Sequence, residues 1–374
     1  MTEYDKFDPE GQKIRLFTPG PAYVPDWILE ELAKPNDTHR CTPYRELHAL
    51  VKSKMQKLLH TKNDIFLWTC SGTGVMEACV RNLIGPNDKA IFFSCGAFGD
   101  RWVKTAEECG KKENMIVVNV EWGKGVSGEL VKKELSKGKY AVVFVTMNET
   151  STGIMNPIWE IGPIVKAHGA LLCVDSVSCM AGVDINVDEW GVDVMLASTQ
   201  KCFALPPGMA VSSISAAALA KAKNVPGRGN YFDFIDMSKK SQSNETPSTP
   251  AIPLLRALNR MLDHILDEEG PQNRYKRHAE MAARVRKWAK EQGFEIFSQE
   301  GFHSNTVVTV RNNQNVDVAT WVKKVTSKGY RFVEGYGDLK NSTFRIAAMG
   351  EITMNDVNEF LKVITTILAE VKQK

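Results

Sequence analysis

Five features in a chain of 374 residues carry groups able to do chemistry. Lys201 is the first. It follows an apolar run at 192–197 that reads as a strand buried on both faces, then the small polar residues Ser198, Thr199 and Gln200. Ammonium groups are rarely buried without a partner or a purpose. A lysine held out of bulk water presents a neutral amine, the form that Schiff-base chemistry needs. Asp175 is the second, at the end of another apolar run, 170–174. A carboxylate buried there is costly unless it meets a positive group.

The other three are a turn, a ring and a guanidinium. Ser71-Gly72-Thr73-Gly74 joins an apolar run at 65–69 to a helical pattern. Free amides at a helix N-terminus, hydroxyls and glycines make a phosphate cradle, although a plain capped turn has the same composition. No GK[ST] follows, and the spacing is not GxGxxG, so neither a P-loop nor a dinucleotide fingerprint is present. Phe98 stands between glycines after a buried strand, as a core aromatic does, or as a platform for a flat heteroaromatic ring. Arg345 lies in the apolar stretch 343–347. It reads as a solvated edge arginine or as a fork for a substrate carboxylate. Asp175 likewise reads as a helix cap, given Ser176 and Ser178, or as the partner of a protonated ring nitrogen. Each residue alone has a bland explanation; the set is harder to explain away.

The elements that must position these groups alternate. Strand-like runs at 65–69, 89–93, 115–120, 140–147, 170–174 and 192–197 are separated by helical patterns at 73–83, 99–109, 128–135 and 158–168. That rhythm predicts an α/β fold with a parallel sheet covered by helices, in which ligands collect at the carboxyl ends of the strands. Earlier helical patterns lie at 26–32 and 44–59. Residues 224–253, rich in Gly, Pro, Ser and Thr but broken by Tyr231, Phe232 and Phe234, predict an ordered surface loop that closes over something. Helices at 254–268 and 275–292 lead to strands at 294–297 and 306–310, a helix at 316–328, strands at 330–333 and 343–347, and a helix at 355–371.

Composition narrows the partners. A hydrophobic content of 43% and a charged content of 24% suit a soluble globular chain long enough for two domains. The net charge of +3 implies no nucleic-acid partner. The charged N-terminus does not read as a signal peptide, and no apolar run approaches a membrane span. Eight cysteines without a CxxC pair and seven histidines without ligand spacing predict a reduced, cytoplasmic protein with no metal site.

In this combination the chain resembles the fold-type I pyridoxal-phosphate enzymes of aminotransferase class V, and within them the alanine–glyoxylate and serine–pyruvate group. The resemblance runs from Thr18-Pro19-Gly20-Pro21 through SGTG at 71–74, Glu149-Thr150-Ser151-Thr152-Gly153, Val174-Asp175-Ser176-Val177-Ser178 and Ser198-Thr199-Gln200-Lys201 to Thr343–Gly350. It implies a large domain at 26–268 with a mostly parallel seven-stranded sheet, preceded by a segment at 1–25 and followed by a small α+β domain at 269–374. Pyridoxal 5'-phosphate (PLP) would be held by Lys201, with Asp175 on its ring nitrogen and Phe98 and Val177 on its two faces. Thr73, Gly74, Val75 and Gln200 would bind its phosphate, and Thr150 would lie near its phenolic oxygen. Thr246 would reach the phosphate of a neighbouring subunit, implying a homodimer with shared active sites. Gly20 and Arg345 would meet the substrate.

The implied reaction moves an amino group from alanine or serine to glyoxylate or pyruvate in ping-pong order. Donors such as aspartate or 2-aminoethylphosphonate are the nearer alternatives, with Arg15, Arg40 and Arg228 as unplaced cations for a second carboxylate. A cysteine desulfurase and a non-catalytic subunit of the same fold are more distant ones. Gln200 and Phe98 stand where desulfurases resemble one another in having histidines, and no cysteine lies near Arg345.

Overall fold

The computed structural model describes residues 14–372. Its centre is a seven-stranded sheet of β1 (Asp64–Trp68), β2 (Ala90–Ser94), β3 (Met115–Asn119), β4 (Val142–Thr146), β5 (Leu171–Asp175), β6 (Val194–Ser198) and β7 (Ala210–Ile214). The strands run in the spatial order β1-β7-β6-β5-β4-β2-β3. Only β7 is antiparallel, to both of its neighbours. The apolar runs are continuous because the two faces of the sheet are covered, and the period of two sends alternate residues to different cores. Phe66, Trp68, Phe92 and Phe144 fill one face, with Phe92 and Phe144 stacked at 4.3 Å. Ile65, Leu67, Ile91, Phe93, Val143 and Val145 fill the other.

Connections are short where the chain turns directly from helix to strand. Helix Ile158–His168 ends on Gly169, whose φ of +81° is the left-handed conformation that lets Leu171 begin β5. No helix among the described residues is long and apolar enough to cross a membrane.

A second core lies under a three-stranded antiparallel sheet of β8 (Val307–Arg311), β9 (Val333–Glu334) and β10 (Thr343–Ala347), with β10 in the middle. Trp321, Phe332, Phe344 and Phe360 fill it. Phe17 joins them from the other end of the sequence, stacked on Phe360 at 3.9 Å. Next to it, Arg15–Leu16 pairs in parallel with Tyr330–Arg331.

Three expectations change. β7 and helix Ala216–Lys223 were not legible: Ser212 and Ser213 interrupt the apolar pattern of β7, yet both are buried. The Ser212 hydroxyl accepts the indole N–H of Trp68 at 2.9 Å. Residues 224–253 are ordered, but they contain a helix, Phe234–Ser241, capped by Asp233. Fully buried Asn82 fixes that segment by donating to Phe232 O (2.7 Å) and accepting from Phe234 N (2.9 Å). The strand expected at 294–297 is reduced to one bridge, Ile296 to Val310.

The two cores are joined by a buried arginine. Helix Ile252–Asp263 runs into a π-helical turn, His264–Glu269, and then helix Pro271–Glu291. On the last of these, fully buried Arg274 donates to Ala181 O (2.8 Å) and to Cys202 O (2.7 Å). Its remaining nitrogen meets the carboxylates of Glu269 (2.8 Å) and Glu351 (2.6 Å). Removing one partner of a buried ion pair strands the others, at a cost of about 3–5 kcal/mol. Arg274→Gln should therefore lower the unfolding free energy by about that amount. Denaturant titration of the variant against the parent chain checks it, and a loss of less than about 1 kcal/mol would show that the pair is replaceable.

Candidate active site

β6 delivers Lys201 to the carboxyl edge of the sheet. The turn after it is tight: Thr199 donates its hydroxyl to Met209 O (3.1 Å), Ala204 N donates to Lys201 O (2.9 Å) and Leu205 N to Thr199 O (3.1 Å). Lys201 is only 8% exposed. Its Nζ donates to Pro19 O. Gly20, with φ +116°, passes so close that a Cβ there would fall on the lysine side chain. Ala22 N then bonds to Gln200 O at 2.9 Å, so residues 19–22 roof the amine. Burial, and then the charge of Arg345, pull the Lys201 pKa down to about 8.

Asp175 closes the neighbouring strand, β5, and is 3% exposed. Its Oδ1 accepts the Val177 N–H at 2.8 Å. Burial raises its pKa to about 7, with Glu149 adding to the rise. On the same edge, a Cβ on Gly72 would come within 2.6 Å of Val177 Cγ2, so the SGTG turn packs directly against the Val177 loop. Helix Gly72–Leu83 begins there without a side-chain cap from Ser71. Its first amides therefore have no side-chain acceptor, and Gly74 N bonds to Ser71 O at 3.0 Å. Val75, in the first turn of that helix, is fully buried. The Ser198 hydroxyl and Gln200 Oε1 are buried and lack hydrogen-bond partners.

Phe98 stands on the first turn of helix Ala97–Glu108, with Lys201 Nζ 6.0 Å from its ring centre. What fixes it there is Glu149, which the sequence placed in a motif but gave no role. Glu149 is fully buried and accepts from Phe98 N (3.0 Å), Gly99 N (3.1 Å), Ser151 N (3.0 Å) and the Ser151 hydroxyl (2.6 Å). Ser151 in turn accepts from Ala97 N at 3.0 Å. The positive end of the Phe98 helix is thereby seated on a carboxylate. Burial still raises the Glu149 pKa. Between Glu149 and Ser151, Thr150 is buried, and its carbonyl accepts Arg345 Nη1 at 3.4 Å.

Arg345 occupies the middle of β10 rather than a strand end, paired with Thr309 and Val333. It is 7% exposed, and burial draws its pKa down to about 10. Besides Thr150 O it reaches only Glu334 O (3.3 Å) and the face of the Tyr336 ring (5.3 Å). Among the described residues no carboxylate lies within ion-pair distance of it. Tyr336 stacks on Phe98 at 5.5 Å, and Arg101 lies over Phe98 at 4.8 Å while bonding the Tyr336 hydroxyl at 2.7 Å. Neither Arg101 nor Tyr336 was singled out in the sequence. Arg101 could have been found by its place one helical turn beyond Phe98; nothing local marks Tyr336.

A model of the family described as Aminotransferase class-V matches residues 16–360. The chain belongs to the class V aminotransferases. It is 36% identical over 363 residues to an uncharacterised aminotransferase of Methanocaldococcus jannaschii, covering 96% of this chain and 93% of the relative. It is 31% identical to a serine–glyoxylate aminotransferase of Methylorubrum extorquens, over 90% of this chain and 86% of that one. Its structure superposes on the alanine–glyoxylate aminotransferase of a Nostoc species with a TM-score of 0.90 and 25% identity, covering 96% of both.

Class V aminotransferases of this fold use PLP, and the residues present fit it. A buried amine, a buried carboxyl with a pKa of about 7, helix amides without a side-chain cap and two orphaned polar atoms are polar groups that suit a phosphorylated pyridine aldehyde. In this class V aminotransferase Lys201 lies by Phe98 and under Pro19 and Gly20, Asp175 meets Val177, Thr150 meets Arg345, and Gly72 of the SGTG turn packs against Val177 and Ser198. Thr246 does not join them within the chain: its hydroxyl donates to Ser248 O at 2.7 Å in a niche beside Leu67, Trp68 and Thr69.

The three arginines expected to be free cations are not. Arg15 pairs with Asp356 (2.8 Å), Arg40 with Glu245 (2.7 Å) and Arg228 with Asp233 (3.1 Å). Their carboxylate partners lie far along the chain or on the next turn, where sequence spacing gives no sign of pairing.

A lysine pKa of about 8 makes the neutral amine accessible two pH units earlier than usual. Capture of PLP by cofactor-free protein should accelerate as the pH rises through about 8. Arg345→Gln removes a positive neighbour, so the midpoint should move upward. Stopped-flow absorbance across pH 6–10, about two units either side, reads both.

Proposed function

We propose that this aminotransferase moves the amino group of a small amino acid, alanine or serine, to glyoxylate or pyruvate in ping-pong order. One observation carries the reaction type: a buried amine with a pKa of about 8 shares a cleft with a buried carboxyl and a buried guanidinium that has no acidic ion-pair partner among the described residues. The names of the serine–glyoxylate and alanine–glyoxylate relatives support the choice of substrates.

Bound PLP supplies an electron sink for the pair left when the substrate loses its α-proton. The chain's residues do the rest. Lys201 would hold the cofactor through Nζ, and its free amine would be the base for the α-proton. Its lowered pKa keeps a useful fraction neutral at physiological pH. Asp175 holds the ring nitrogen, and the buried position that raises its own pKa strengthens its pairing with a cation. Phe98 and Val177 would bound the ring plane, the Thr73–Val75 turn and Gln200 would hold the phosphate, and Thr150 would lie by the phenolic oxygen. Arg345 takes the α-carboxylate, with Gly20 leaving room beside it. Thr246 serves the phosphate of a second subunit, so the working form is a homodimer, in a reducing cytoplasm that suits eight free thiols.

Lys201→Ala should abolish the visible absorbance of the lysine-bound cofactor and reduce turnover by at least about a thousandfold. Absorbance spectra with and without alanine, serine and glyoxylate test both; retained turnover would sink the assignment.

A further inference from the structure

The arrangement around Phe98 contains more positive charge than one carboxylate needs. Arg345 lies over the ring of Tyr336, and Arg101 bonds the hydroxyl of the same side chain. Two guanidiniums therefore bracket one phenol. Among the described residues, Arg101 has no carboxylate within ion-pair distance, in contrast to Arg15, Arg40 and Arg228. The adjacent acid, Asp100, is turned inward and accepts the Ser94 hydroxyl at 2.5 Å. The charge of Arg101 is felt at both Lys201 and Asp175, although burial is the larger influence on each.

The position is built from both halves of the molecule. Arg101 and Phe98 come from helix Ala97–Glu108, while Tyr336 and Arg345 come from the C-terminal sheet and the turn before it. Gly337, with φ +57°, brings that turn onto the helix, since a Cβ there would touch Trp122 and Ala97. Tyr336 is 36% exposed, with its ring stacked on Phe98 and its hydroxyl bonded to Arg101. Arg345 thus stands over the ring and Arg101 at the hydroxyl of one side chain, so a ligand with two carboxylates would find a guanidinium for each.

We propose that Arg101 and Tyr336 form a second anion subsite that receives the distal carboxylate of a four-carbon dicarboxylic substrate, extending the donor range from alanine and serine to aspartate. The proposal rests on the reading of Arg345 as the α-carboxylate residue. A guanidinium and a phenol together offer a charge-assisted, directional grip, which a monocarboxylate cannot use.

Calorimetric titration of the PLP-loaded protein with two unreactive four-carbon ligands, succinate and butyrate, isolates the second carboxylate. Wild-type protein should bind succinate at least about tenfold more tightly than butyrate. Arg101→Met keeps an aliphatic stem on Phe98 but loses the charge, and should reduce that ratio about tenfold; Arg101→Lys should restore part of it. The ratio of aspartate to alanine half-reaction rates should fall in parallel. A ratio near one in the wild type, or one unmoved by Arg101→Met, overturns the subsite. Arg345→Gln reports on the underlying reading separately. It should weaken succinate and butyrate alike, and if it weakens neither, that reading fails and the subsite falls with it.

Discussion

Desolvation governs this molecule. An amine, a carboxyl and a guanidinium are taken out of water within one cleft, and each is shifted toward its neutral form by that burial. Water would otherwise hold all three fully charged and leave the lysine a poor nucleophile. The sheet edge, the roof at residues 19–22 and the aromatic cluster around Phe98 all serve this exclusion. Glu149 belongs to the same logic, since it satisfies the helix amides that burial would otherwise leave without acceptors.

The same cleft depends on elements from three distant parts of the sequence. Arg274 fastens the turn that carries Lys201, through Cys202 O, to the loop that follows Arg345, through Glu351. Glu149 fastens the platform of Phe98 to the Thr150 loop, whose carbonyl meets Arg345. Catalytic geometry is thus held by buried ionic hubs rather than by the site residues themselves. Such hubs are stiff because any displacement exposes an unpaired charge to a low dielectric.

Much of this was legible beforehand because charged residues at the ends of apolar runs are conspicuous. Lys201 and Asp175 stand out on that ground, and all six expected central strands lie within two residues of the observed ones at either end. The rest was hidden for identifiable reasons. β7 is buried through serines, which carry no apolar signal. Arg101 gains meaning only from a tyrosine 235 positions away. Arg15, Arg40 and Arg228 looked available because their partners come from folding, and Glu149 stood in a motif without a role.

The N-terminal segment has a mechanical consequence. Phe17 is fully buried against Phe360 in the C-terminal core, while Pro19 and Gly20 lie on the lysine. Two residues of extended chain span at most about 7 Å. The C-terminal sheet is therefore on a short leash: a swing larger than whatever that span leaves unused would drag the cover off the amine. Admission of substrate and exposure of the nucleophile become a single displacement, set by the length of a dipeptide.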